Sequence, residues 1–145
     1  MKRLFTAAAA AAIFAGHAVA ADPALIDTSV VTGAEAQVET FEWGRLITYY
    51  AGESYSTQDA LAAVAVINPG MQIHPPHVHA EEEYLMVLDG TGTWSVEGEE
   101  FPAAAGDLLY AAPWDEHGIR NTGTAPLRFA VFKWNPKPVE PAPAP

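Results

Sequence analysis

From Phe41 onward the apolar residues fall in short runs, and turn formers separate one run from the next. Short apolar or alternating runs bounded by Gly, Pro, Asn and Asp read as β-strands. No segment repeats its apolar positions at helical spacing. The pattern predicts strands over residues 45–50, 61–67, 83–88, 91–96, 108–111, 118–121 and 127–134. The punctuation is Asn68-Pro69-Gly70, Asp89-Gly90, Glu97-Gly98, Gly106-Asp107 and Asn121-Thr122-Gly123. Asp89-Gly90 between two apolar runs predicts a hairpin. Residues 60–65 are rich in alanine, which propensity alone would make helical. Flanking Gly and Pro, and the branched Val64, Val66 and Ile67, favour a strand instead. Many short strands with regular turns predict an antiparallel sandwich or barrel.

The two ends read differently. Residues 1–20 begin with Lys2 and Arg3, continue as an Ala-dominated apolar stretch to about Gly16, and close on Ala18-Val19-Ala20. This is the pattern of a signal peptide cut after Ala20. The apolar run is shorter than the ~20 residues a membrane span needs. Residues 21–40 are small and polar and read as a lead-in. The folded domain is expected over 41–135. Residues 136–145 are dense in proline, which lacks an N–H donor, so an extended, exposed, disordered tail is expected.

Composition narrows the setting. The chain has 145 residues, half of them apolar, which suits one folded domain. Its formal net charge is −11, and without Lys2 and Arg3 five basic residues remain against 18 acidic ones. Such a surface repels phosphate backbones and anionic membranes, so neither is an expected partner. There is no cysteine, hence no disulfide, thiolate ligand or thiol nucleophile. The expected product is soluble after signal cleavage, in a periplasm or outside the cell.

The histidines add the chemistry. Of the five, His17 lies in the signal, and His74, His77 and His79 fall close together beside an acidic run. Side chains alternate faces along an extended chain, so His77, His79 and Glu83 share a side. Neutral imidazoles and a carboxylate suit a divalent first-row metal. A fourth donor must come from elsewhere, and His117 is the histidine that remains. The plainer alternative, a polar patch on a strand edge, gives His117 no partner. It also leaves the apolar run directly after Glu83 unexplained. His74 has the opposite parity and is separated by Pro75-Pro76, so it reads as a rim residue with a secondary claim to substrate contact. Glu81 and Glu82 read as solvated charges that could also orient a ligating imidazole.

These residues resemble the motifs of the cupin superfamily, in its small single-domain, RmlC-like form. Gly70, His77-Val78-His79, Glu83 and Gly90 resemble the first cupin motif. Gly106, His117 and Asn121 resemble the second. Two departures show. Gly70 stands one residue further from His77 than is usual, and Ala112-Pro113-Trp114 replaces the usual Pro and Gly before His117. The resemblance implies an all-β double-stranded β-helix, the cupin jelly-roll barrel. It implies His77, His79, Glu83 and His117 as ligands of one divalent transition metal (Fe, Mn, Ni, Cu or Zn), and pairing of two copies through their sheets. Asn121 reads as a turn support.

A shell of three His and one Glu leaves metal positions open to water, dioxygen or an oxygen-bearing substrate. The reading is an exported, metal-dependent oxidoreductase of dioxygenase type acting on a small organic molecule. The alternatives are an isomerase or lyase acting on a sugar acid, and a non-catalytic binding module. Tyr110, Trp94 and Trp114 are expected near an apolar mouth. Arg120, close to His117 in sequence, reads either as a contact for a substrate carboxylate or as a surface ion-pair residue.

Overall fold

A computed structural model describes residues 25–138. The signal peptide expected over 1–20 and most of the Pro-rich tail lie outside the described residues. Nine strands form in chain order: β1 (Gln37–Phe41), β2 (Gly44–Gly52), β3 (Thr57–Ile67), β4 (Glu82–Asp89), β5 (Thr91–Val96), β6 (Glu99–Ala104), β7 (Leu108–Ala111), β8 (His117–Arg120) and β9 (Leu127–Pro136). All seven strands read from the sequence are present, β5 and β7 with the same ends and the others with shifted ends, and no helix forms among the described residues.

Two strands escape the hydrophobic pattern. β1 is exposed along its whole length and closes the edge of a sheet beside β2. It has no buried face and therefore no alternation to read. β6 carries Pro102 and two glutamates, and it too is an edge strand. Proline is tolerated there because an edge strand does not need every N–H for pairing. The folded part thus starts earlier than Phe41. Ile26 bridges to Ser54, and the Tyr50 hydroxyl donates to the Ser29 carbonyl at 2.7 Å, so part of the expected lead-in is pinned to the sheet. At the other end Pro136 still pairs with Thr57, and Lys137 N–H donates to the Ser56 carbonyl at 2.8 Å. The expected free tail is therefore ordered at its start.

The strands assemble into two antiparallel sheets, ordered β1-β2-β3-β9-β4-β7 and β6-β5-β8. This corrects the expected hairpin at Asp89-Gly90, because β4 and β5 belong to different sheets. The chain crosses from one sheet to the other at Gly90, whose φ is 87°. A Cβ there would lie 2.6 Å from the Pro126 carbonyl oxygen, so the crossing passes too close to the backbone before β9 for any side chain. The true two-residue hairpin joins β5 to β6. Glu97 and Gly98 have φ of 50° and 79°, the paired left-handed conformation that suits strand twist.

The inner faces of the two sheets meet in one core. Ala65, Ile67, Leu85, Val87, Leu127 and Phe129 come from the large sheet, with Trp94, Ala103 and Ile119 from the small one. Each large apolar side chain removed from water contributes about 1.5–3 kcal/mol. Asn121 is fully buried just after β8. Its Nδ2 donates to the carbonyls of Ile67 (2.8 Å) and Ala125 (2.9 Å), and its Oδ1 accepts from Gly123 N–H at 2.9 Å. It locks the turn that carries the chain from β8 towards β9, the turn-supporting role expected of it.

Candidate metal centre

Two of the three buried polar residues among those described are Glu83 and His117, and the third is the structural Asn121. Charged or imidazole groups are placed in a core only when something there satisfies them. Glu83 is the second residue of β4 and faces inward between Leu85 and the preceding loop. His117 opens β8 and is 2% exposed.

His77 and His79 do not sit on a regular strand, as the parity argument supposed. They lie on an extended loop that touches β8 through two isolated bridges, Gln72 with Arg120 and His77 with His117. His77 and His117 exchange both backbone hydrogen bonds at 3.0 Å, and Trp114 N–H donates to the His79 carbonyl at 2.8 Å. The alternation survives locally: His77 and His79 are half-buried while Val78 is 52% exposed.

The loop before His117 accounts for one departure from the motif. Asp115 N–H donates to the Ala112 carbonyl at 3.2 Å, closing a turn with Pro113 and Trp114 at its centre. Trp114 has φ of 70°, the conformation for which glycine is usual. Pro113 at the preceding position presets that turn, so it forms without the glycine.

The three rings converge. Their donor nitrogens all lie within 4.8 Å of one another. Donors around one ion at ~2.1 Å stand up to ~4.2 Å apart, so the cluster is near ligand spacing. Each ring is oriented from behind. Nδ1 of His77 faces the His117 carbonyl at 3.3 Å, Nδ1 of His79 the Glu81 carbonyl at 3.0 Å, and Nδ1 of His117 the Asp115 carbonyl at 2.9 Å. A carbonyl only accepts, so each Nδ1 carries the proton and each Nε2 is left with a lone pair. It is the backbone carbonyl of Glu81 that orients His79, with its carboxylate 3.3 Å from the same Nδ1.

Those lone pairs need a cation. His79 Nε2 lies 2.7 Å from Glu83 Oε2. Two acceptors at that distance require a proton or a metal ion between them. His117 Nε2 lies 3.6 Å from the same oxygen and is buried with no hydrogen-bond partner among the described residues. A divalent ion would satisfy the carboxylate and all three nitrogens together, and the all-N/O donor set fits one. Electrostatics agree. Burial pushes the Glu83 carboxyl up, but His117 and His79 outweigh it and hold it below the usual carboxylate value. Burial, then the neighbouring His74, His117 and His79, push the His77 imidazole down. Glu83 raises His117, against burial, with help from the Asp115 carbonyl.

A cavity of about 190 Å³ opens beside the cluster, with Leu46, Leu61, Ile73, Leu85, Phe129 and Val131 in its wall. His74 is exposed at its rim, with its ring centroid 3.9 Å from that of His77. The aromatics expected at an apolar mouth are elsewhere. Trp94 is in the core, Trp114 is 68% exposed, and Tyr110 packs at a tilt against Tyr84 on the outer face of the large sheet. Tyr110 donates to Glu82 at 3.1 Å and does not line the cavity. Arg120 points away as well. β8 alternates, so His117 and Ile119 face inward while Arg120 faces out, donating to the Gly70 carbonyl at 3.2 Å. The cation that does line the cavity is Lys133, which the sequence reading gave no role.

Comparison with known proteins now decides the family. Residues 63–133 match the model of the cupin domain. Dimethylsulfoniopropionate lyase DddW of Ruegeria pomeroyi is 31% identical over 108 residues, 74% of this chain and 70% of that protein. The chain belongs to the cupin superfamily. It is a metal-binding cupin, with the imidazole cluster at the place the family motifs mark. The cupin is also 28% identical to gentisate 1,2-dioxygenase of Streptomyces sp over 81 residues, but it spans only 22% of that protein. Among solved structures, a predicted oxalate decarboxylase from Thermotoga maritima superposes on this cupin with a TM-score of 0.58 and 23% identity, covering 73% of this chain and 98% of that one. That likeness establishes the jelly-roll fold.

Proposed function

We propose that this cupin is an exported metal-dependent enzyme in which His77, His79, Glu83 and His117 hold one divalent transition metal, and that it acts as a dioxygenase-like oxidoreductase on a small organic molecule. The observation that carries the proposal is the convergence of three imidazoles and one carboxylate, with His77, Glu83 and His117 at the wall of a small apolar cavity. A bound Fe, Mn, Ni, Cu or Zn ion would supply Lewis acidity and open positions for oxygen ligands. The chain supplies the rest. The backbone carbonyls behind each Nδ1 fix the rings, and the apolar wall excludes water. The cavity has room for on the order of six waters, which suits a compact substrate. Its wall favours a hydrocarbon body over a sugar acid, whose hydroxyls would lose their hydrogen bonds there.

The similarity to gentisate 1,2-dioxygenase supports oxygen chemistry. A second reading, metal-assisted elimination, is favoured by the lyase, which is matched over 74% of this chain. Metal-loaded protein mixed with phenolic, diketone and short-chain carboxylate candidates in an oxygen electrode separates the two. Oxygen uptake matching substrate loss is expected. Substrate loss without oxygen uptake would replace the oxidoreductase with the lyase or isomerase. No turnover by any metal form would leave a binding module.

The proposed export predicts a secreted or periplasmic form beginning at Ala21, which mass spectrometry of the intact protein reads directly. Exposed Met86, Leu108, Tyr110 and Phe132 share the outer face of the large sheet through their cross-strand register. That face is the one we propose for pairing of two copies, and sedimentation velocity would report the dimer.

A further inference from the structure

Lys133 stands across from Glu83 where β9 pairs with β4, and both face inward. The inner face of β9 reads Leu127, Phe129, Val131 and then Lys133, three apolar residues followed by a cation. Lys133 lines the cavity together with His77, Glu83 and His117, and among the described residues it is the one lysine or arginine in that wall. Its side chain is 29% exposed, and its Nζ lies 3.3 Å from one carboxylate oxygen of Glu81. An ammonium group has three donors, so one contact leaves two free. Arg120, the cation nearest His117 in sequence, opens into a different groove with Thr93 and Ser95 and cannot serve this cavity.

We propose that Lys133 is a specificity-determining residue that anchors an anionic group of the substrate, so that the cavity takes small organic acids with a short hydrocarbon body. This rests on reading the cavity as the substrate pocket of the metal site. The apolar wall accepts the hydrocarbon, and the free Nζ donors accept the carboxylate in a charge-assisted hydrogen bond. Glu81 holds Lys133 in place until the substrate carboxylate competes for it.

The test uses benzoate and propionate as probes, with benzamide and propionamide as neutral controls. Binding is followed by ligand-observed NMR on the metal-free chain and by calorimetry on the zinc-loaded chain. Metal content is measured first in every variant. Lys133→Met and Lys133→Gln should keep the metal and weaken carboxylate binding about tenfold or more in both forms, leaving the amides unaffected. Lys133→Arg should restore carboxylate binding. Unchanged carboxylate affinity in metal-replete Lys133→Met and Lys133→Gln would overturn the proposal and leave Lys133 as a partner of Glu81 alone. Loss of metal in both variants would also overturn it, because the residue would then serve the metal site. If the wild-type chain held no metal, the metal-site reading would fail by itself, and the metal-free measurements would still decide the role of Lys133.

Discussion

At the residue scale, what distinguishes this site is that its polar groups are satisfied from behind and unsatisfied in front. The carbonyls of His117, Glu81 and Asp115 take the Nδ1 protons, and His117 Nε2 is left buried without a partner. Protons and metal ions therefore compete for the same lone pairs. The sign follows from the shifts. Glu83 holds His117 above the ordinary imidazole value of 6.5, so in the metal-free chain it is already protonated at a pH where a free imidazole is largely neutral. Burial, then the neighbouring imidazoles, lower His77 from 6.5, so a proton competes least there. Metal affinity should fall on acidification, starting above pH 6.5. Equilibrium dialysis against zinc at pH 8 and pH 5.5 measures this, and equal occupancy at limiting zinc would contradict it. Asn121 provides a purely structural contrast. Asn121→Ala would leave the buried Ile67 carbonyl without its donor, open the turn at Ala125 and leave a cavity in the core, and should lower stability by on the order of 3 kcal/mol in urea unfolding.

At the element scale, legibility in the sequence followed burial. Strands with an inward apolar face, such as β3, β4, β5 and β9, could be read from their runs. The edge strands β1 and β6 could not, because exposed or proline-bearing edges carry no alternating signal. The convergence of the candidate ligands was legible because spacing places His77, His79 and Glu83 on one side, yet the supporting element is a bridged loop and not a strand. Lys133 was illegible as a pocket residue because its meaning depends on which strand lies beside it. Nothing local to β9 says that its neighbour is Glu83. Arg120 misled for the same reason, since three positions along a strand from His117 is the opposite face. The crossing at Gly90 likewise looked like a hairpin because turn chemistry does not reveal whether the two strands share a sheet. That crossing gives a paired prediction. Gly90→Ala combines a left-handed backbone with a contact at 2.6 Å and should cost on the order of 3 kcal/mol. Gly98→Ala, equally left-handed but in open space, should cost about 1 kcal/mol. Thermal unfolding of both variants would expose an error if the two losses were equal.

At the scale of the whole molecule, the proposed metal centre draws on parts that are distant in the chain. His77 and His79 come from the loop before β4, Glu83 from the large sheet and His117 from the small one. An ion held by all of them would clasp the two sheets, and a ligand that binds only the folded state stabilises it by mass action. At a free metal concentration of about 100 Kd that is ~2.7 kcal/mol, or on the order of 10 °C for a domain of this size. Adding EDTA to the loaded protein should lower the thermal midpoint by that order, and no shift would mean the sheets hold together without the ion. The central claim is tested most directly by elemental analysis of untagged protein beside the His77→Ala/His79→Ala variant. About one metal ion per chain is expected in the wild type and almost none in the variant. A variant that keeps its full complement of metal would contradict the assignment.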